Sequence, residues 1–328
     1  MTAEQKLDLL LRILRGAPPP PDLDEDGWME LVRTAGHQTV IGLLYKAAEQ
    51  FPEGVSFSDR VLFTLLSEVR RTVTRNQELA VAEKEVLEML RSAGLRPMVI
   101  KGSSCAARYP SPELRTGGDI DLYLAETDFQ RALELLSASG IECTPKPDRS
   151  ADFILRGCQV ELHRRYFDLH VRPDLLPPVG TPEAEILLLS AHILKHACGV
   201  GVGLRQIFDF AFAYKAYSGD YQRLHSMFAK CGLSRWNALL LSFIKDYIDP
   251  CTEVPQKLDS TLLFRIVAGG GNFGHYRDKR LKSVQQRSVL RRKLDTLRRI
   301  LSKLPFSLRF APREVFPFLA ELFRENLN

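Results

Sequence analysis

The sequence predicts an α+β chain in which a small mixed sheet is flanked by an N-terminal and a C-terminal helical region. Three observations carry this expectation. Apolar residues recur at helical spacing through the first ninety-odd residues, short β-branched and alternating runs replace them, and the helical spacing returns from Thr181. At 328 residues the chain can bury a substantial core and hold two or three domains. The changes in texture put the divisions at 1–94, 95–175 and 176–328.

In chain order, "EQKLDLLLRILRG" reads as a helix ending at Gly16, and Pro18 to Pro21 then break the chain. A second helix is expected around Trp28 to Gln50. A long one follows over Ser58–Ala93, with Ser58 as N-cap and Gly94 as the stop. "RPMVI", "DIDLYL" and "IECTPK" read as strands, and "DFILRG-CQVELHRRY" as two strands joined at Gly157. The helix "ETDFQRALELLSASG" lies among them, with Thr127 as its expected cap. Pro177, Pro178, Gly180 and Pro182 mark the joint to a run of helices beginning with "TPEAEILLLSAHILKHAC" and "LRQIFDFAFAYKAY". "AGGGNFGH" (268–275) reads as a glycine-rich connection between helices, and no internal repeat is visible.

Composition narrows the function classes. Apolar residues make up 45% and charged residues 26%, the balance of a soluble globular protein. No apolar run is long enough to span a bilayer. The opening "MTAEQKLDLLLRILRG" mixes acids among its leucines, unlike a signal peptide. Six scattered cysteines without a CxxC pair read as free thiols, so the expected location is the cytoplasm. The net charge of +5 is uneven: residues 276–313 carry 13 Lys/Arg against two acids, a local +11, which leaves −6 over the rest. Leucines at helical spacing make that segment first a solvated helical face. Attraction to phosphate, nucleic acid or an anionic surface is the alternative, with nucleic acid not favoured because few aromatics interleave the charges.

The segment "IKGSSCAARYPSPELRTGGDIDLYL" (100–124) carries the chemistry. Side chains alternate across a strand, so Asp119, Asp121 and Tyr123 share one face while Ile120, Leu122 and Leu124 share the other. Two like charges about 7 Å apart repel and raise at least one pKa. A hard divalent cation relieves that repulsion, and Mg²⁺ (or Mn²⁺) is commonly held by carboxylates together with substrate phosphates. In "QVELHRR", Gln159, Glu161 and His163 share a face, so Glu161 joins the aspartates if the two strands are neighbours; Asp152 and Asp168 are weaker candidate third acids. Upstream, Lys101-Gly102-Ser103 follows a strand and opens a helix, which suits close approach to a phosphate. His192 and His196, four apart on a helix, have a spacing that can hold zinc but bring no evident third ligand. Arg205 and Asp209 read as an internal ion pair.

These motifs resemble the signature of the nucleotidyltransferase-fold superfamily related to DNA polymerase beta. More closely, "IKGSS…LRTGGDIDLYL…VELHRRY…LLLSAHILKHACGVGVGLRQIFDFA" is similar to a bacterial family of uncharacterised nucleotidyltransferases, over about residues 60 to 275. The resemblance implies a small mixed-sheet nucleotidyltransferase core, with Asp119, Asp121 and Glu161 as catalytic and metal-binding acids. It implies phosphate binding by Gly102 and Ser103, with a nucleoside triphosphate as donor and Mg²⁺ (or Mn²⁺) as cofactor; the residues themselves add Lys101, Arg115 and Lys195 as expected nucleotide contacts, with Arg115 equally suited to pin the turn against a carbonyl. The implied reaction moves a nucleoside monophosphate onto an acceptor that the family name leaves open: small molecule, sugar or protein. An inactive nucleotide-binding regulatory module, or a protein that binds RNA or an anionic surface through 276–313, is the competing expectation.

Overall fold

The computed structural model describes residues 1–146, 150–167, 169–199, 201–271, 303–315 and 317. Helix α1 (Ala3–Leu14) opens with a reciprocal cap: Thr2 accepts from the Gln5 N–H, and the Gln5 side chain accepts from the Thr2 N–H. The single helix expected over Trp28–Gln50 is two, α2 (Glu25–His37) and α3 (Ile41–Ala48). Thr39 breaks it with a left-handed φ of 54°. The break is fixed from elsewhere in the chain. Gln38 is buried; its Oε1 accepts the Leu204 N–H at 2.9 Å and its Nε2–H donates to the Val267 carbonyl at 3.0 Å. Tertiary hydrogen bonds to a buried side chain thus outweigh helix continuity.

Helix α4 (Asp59–Ser92) matches its sequence expectation: Ser58 accepts from the Val61 N–H, and Gly94 follows the helix with φ 74°. At 34 residues it spans about 51 Å and serves two cores. Its first turns pack on α2 and α3, and its second half, through Leu79, Ala82, Val86, Leu87 and Leu90, packs under the sheet.

The sheet has the order β1-β2-β5-β4-β3. Strand β1 (Met98–Val99) is antiparallel to β2 (Ile120–Tyr123), and β2 is parallel to β5 (Cys158–His163). Strand β4 (Ala151–Leu155) pairs antiparallel with both β5 and β3 (Thr144–Pro145). The β4–β5 hairpin turns at Arg156 and Gly157, both at positive φ, as a tight two-residue turn requires. The short helix α5 (Ser103–Ala106) lies between β1 and β2. Helix α6 (Glu126–Ala138) follows β2. Its N-cap is Ala125, not Thr127, which falls inside the first turn, where the Asp128 carboxylate accepts the Arg96 N–H at 3.0 Å.

On one face of the sheet, Ile120, Leu122, Val160 and Leu162 pack with α4 and α6. Each such side chain stabilises the fold by about 1.5–3 kcal/mol on burial, which anchors the face opposite the acids. Among the described residues follow α7 (Pro182–Cys198), α8 (Leu204–Lys215), α9 (Tyr221–Lys230), α10 (Ser234–Tyr247) and α11 (Thr261–Gly270), and residues 303–310 and 312–315 are helical too. Helices α7 to α11 share a second hydrophobic cluster with α1, α2 and α3, so both helical regions contribute to one core. Residues 268–270 of the expected glycine-rich connection belong to α11, while 272–275 and most of the basic segment, 276–302, lie outside the described residues. The six cysteines are free, and no described helix is long and apolar enough to cross a membrane.

Candidate active site

The register of the two central strands assembles the site. Asp121 pairs with Glu161 and Tyr123 with His163 across the parallel β2–β5 ladder, on the face opposite the apolar stripe. Asp121, Glu161 and His163 bring one ligand atom each within 4.8 Å of one another, a donor set able to hold a metal ion. Asp121 is 6% exposed. Its Oδ1 takes the Lys101 ammonium at 2.9 Å and the His163 Nε2 at 2.8 Å. Burial pulls the Asp121 carboxyl upward, but the Lys101 charge and the His163 hydrogen bond win and hold it well below the usual carboxylate range. Glu161 is oriented from behind: its Oε1 accepts from the Ser150 hydroxyl at 3.0 Å and pairs with Lys146 at 3.2 Å. Its Oε2 is turned toward His163, 3.9 Å away.

Asp119 stands one residue before β2 and differs from Asp121. Burial raises its pKa, the Asp121 charge raises it further, and Lys101 and Arg205 oppose the rise only through their charge. Among the described residues, that is the electrostatic position of a carboxylate without a hydrogen-bonded counter-charge.

The chain reaches this face through a strained turn. Lys101 and Gly102 adopt φ of 64° and 55°, a left-handed pair that carries the backbone from β1 into α5. A left-handed lysine is uncommon, and such strain clusters at functional sites. The loop before β2 is tied to α4 by Asn76, whose Nδ2–H groups donate to the Glu113 and Arg115 carbonyls at 2.7 and 2.8 Å. Asn76 Oδ1 accepts the Gly117 N–H at 3.1 Å. A Cβ at Gly117 would fall 2.6 Å from both Asn76 Oδ1 and Leu79 Cδ1, so this close approach needs glycine.

A pocket of about 200 Å³ opens over the acids. The sheet supplies Asp121, Glu161 and His163, the turns supply Lys101, Gly102 and Asp119, and helices α7 and α8 close it with His192, Lys195, His196, Arg205 and Gln206. Lys195 of α7 lines this pocket, and the sequence reading did not foresee the contribution of α8. His192 and His196 stack edge to face at 4.5 Å. Burial and the nearby Lys101 push the His192 imidazole well below its ordinary value, which keeps it neutral. A second pocket of about 350 Å³ along α4 shares Gly102, Arg115 and Asp119 with the first. A larger cavity of about 960 Å³ has Phe51, Phe208 and Phe212 on its wall and none of these acids.

Two expected nucleotide contacts are engaged elsewhere. The Ser103 hydroxyl donates to the Glu83 carboxylate of α4 at 2.8 and 3.0 Å. Arg115 forms a two-pronged pair with Asp209, Nε to Oδ1 and Nη2 to Oδ2, both at 2.7 Å. Tyr109 adds a hydroxyl bond to Oδ1 at 2.8 Å. The expected Arg205–Asp209 pair is therefore corrected: Asp209 belongs to Arg115. Asp152 shares Lys146 with Glu161, both at 3.2 Å, and of the two it is Glu161 that groups with Asp121 and His163. Asp168 lies outside the described residues. His163 is the member of that group that the sequence left undecided. Its sharing a face with Glu161 was the available signal.

A mixed sheet presenting a carboxylate–histidine group to a pocket with lysine and arginine on its walls defines an α+β protein equipped to handle a cation and an anionic ligand. The chain belongs to the family described as uncharacterised nucleotidyltransferase, whose model matches residues 24–249. Membership supports nucleotidyl transfer as the general activity. No curated protein and no solved structure matches the chain.

Proposed function

We propose that the protein is a metal-dependent nucleotidyltransferase that moves a nucleoside monophosphate from a nucleoside triphosphate to an acceptor hydroxyl. The observation that carries this reading is the convergence of Asp121, Glu161 and His163 within 4.8 Å, in a pocket that Lys101 and Lys195 also line. Oxygen-rich donors suit Mg²⁺ or Mn²⁺, and the imidazole is compatible with Mn²⁺. Asp121 and Glu161 would hold the ion, and Asp119 would add its carboxylate as the like-charge repulsion with Asp121 is relieved. Bound there, the ion would neutralise charge on the phosphates and lower the barrier to in-line displacement.

The chain's own groups supply the rest. Lys101 and Lys195 bind the triphosphate as point charges. His163 and Lys101 fix the rotamer of Asp121, while Ser150 and Lys146 fix that of Glu161. The acceptor oxygen forms its bond to the α-phosphorus as the α–β bridging bond breaks. Pyrophosphate leaves with the electron pair, and the hydroxyl proton passes to the Glu161 carboxylate. Fixed charges aimed at the reacting phosphate do most of the work.

The test has two arms. Pyrophosphate release from each of the four nucleoside triphosphates is followed with Mg²⁺ or Mn²⁺, for wild type and Asp121→Ala. Nucleotide-modified products are then compared between cells expressing the two proteins. The expected result is release and product only with wild type. Tight nucleotide binding without release or product would identify a binding module and overturn the reading.

A further inference from the structure

Arg205 stands in the first turn of α8, and among the described residues its charge has no carboxylate hydrogen-bonded to it. The residue four positions on, Asp209, is the usual partner on a helix face. Here both Asp209 oxygens are taken by Arg115, and Oδ1 by Tyr109 as well. Arg205 Nη1 donates to the Thr116 carbonyl at 2.8 Å. Its Nε is buried and has no hydrogen-bond partner among the described residues. The same Nη1 lies 3.7 Å from the point where a Cβ on Gly118 would sit, so the guanidinium rests against the loop that delivers Asp119. Arg205 lines the pocket with Asp119, Asp121, Lys101 and Lys195.

The backbone beneath Arg205 is held rigidly. Gln38 accepts the Leu204 N–H and Gln206 accepts the Gly203 N–H, which fixes the start of α8. A preset guanidinium loses little entropy on meeting a ligand, and its planar donors match phosphate oxygens better than an ammonium does. Burial and the nearby Arg115 charge lower its pKa against the pull of Asp209 and Asp119, and an approaching anion would oppose the same two effects.

We propose that Arg205 is the receptor for the terminal phosphates of the nucleoside triphosphate and for the pyrophosphate that leaves. This rests on the nucleotidyltransferase reading and adds to it. Arg205 becomes a substrate contact on the α8 wall of the pocket, and pyrophosphate becomes the ligand it grips. Its position beside Asp119 places a phosphate-binding group next to the carboxylates that would hold the metal.

The experiment is calorimetric titration of inorganic pyrophosphate, with Mg²⁺ present, into the full chain as wild type, Arg205→Lys and Arg205→Gln. Thermal midpoints without ligand are measured alongside. Wild type should bind, Arg205→Gln should bind at least tenfold more weakly, and Arg205→Lys should fall between, while all three keep cooperative unfolding. If Arg205→Gln does not fold, Arg205→Lys decides, because it retains charge and length and loses the planar donors. A folded variant with wild-type pyrophosphate affinity overturns this inference and leaves the transferase reading standing. Failure of wild type to bind either pyrophosphate or any nucleoside triphosphate overturns both together.

Discussion

Two buried charge assemblies face one pocket and have opposite characters. On the wall formed by the loop and α8, Arg115 and Asp209 form a closed pair, 6% and 5% exposed, with both carboxylate oxygens bonded and Tyr109 sealing the third contact. On the sheet, Asp121, Glu161 and His163 gather three ligand atoms around an open space, with Asp119 at their edge. Both use an aspartate beside a cation. In the closed assembly the carboxylate is spent on Arg115 and Tyr109, and the pair clamps the loop to α8. The open one is supported from behind by Lys146 and Ser150 and turns its remaining oxygens to the pocket. Saturation of the acceptors, more than burial or residue type, separates the closed pair from the open group.

The strongest way to break this comparison is Asp121→Asn. The substitution keeps volume and the His163 contact but removes the charge that Lys101 and a cation would share. Transfer should fall by about 10³-fold, the scale for losing a preorganised electrostatic group. The thermal midpoint should stay within a few degrees of wild type. Near-normal turnover in a folded Asp121→Asn protein would make the sheet assembly structural too.

Asp209→Ala probes the closed pair. It strands a buried guanidinium, and breaking a buried pair from one side costs about 3–5 kcal/mol. Urea unfolding should show that loss as a lower midpoint at constant slope. A change below about 1 kcal/mol, the scale of an exposed pair, would show that Arg115 finds other partners and that the clamp is dispensable.

Lys195→Ala should act on affinity alone. An ammonium on a phosphate is a charge-assisted contact worth about 1–3 kcal/mol, so KM for the nucleoside triphosphate should rise about tenfold while acceptor KM stays flat. Equal changes in both constants would instead indicate a disturbed α7.

The sequence disclosed the open assembly better than the closed one. Alternation in "DIDLYL" and "VELH" put the acids on one face before any coordinates, and local periodicity was enough to find the long α4 and the β4–β5 hairpin. Local signals could not show that Gln38 would interrupt a helix to cap another 166 residues away, or that Asp209 would choose Arg115 over the nearer Arg205. The α8 wall and the Asn76 tether were invisible for the same reason: each depends on a partner that only tertiary packing supplies. Ser103 has the composition of a phosphate loop, and nothing in its neighbours foretold that Glu83 of α4 would take its hydroxyl.

The smallest effect expected concerns Asp119, and its sign is the informative part. Burial and Asp121 raise the Asp119 pKa above its unfolded value of about 3.9, so the native state holds a proton where the unfolded chain has lost it. Stability from this group therefore falls as pH rises from about 4 through the raised native value, and the penalty persists at pH 7. Asp121 works the other way: its depressed pKa gives stability that is present above about 3.9 and is lost as pH falls toward the native value. Asp119→Asn removes only the unfavourable charge. Its thermal midpoint should exceed that of wild type at pH 7, with the difference shrinking as pH is lowered toward 4, even though transfer is lost. Mg²⁺ should raise the wild-type midpoint and narrow the gap, because a ligand that binds only the native state stabilises it and the variant has lost one donor. A variant less stable than wild type at pH 7, or a difference that ignores both pH and Mg²⁺, would mean that Asp119 is already compensated and belongs with the closed pair.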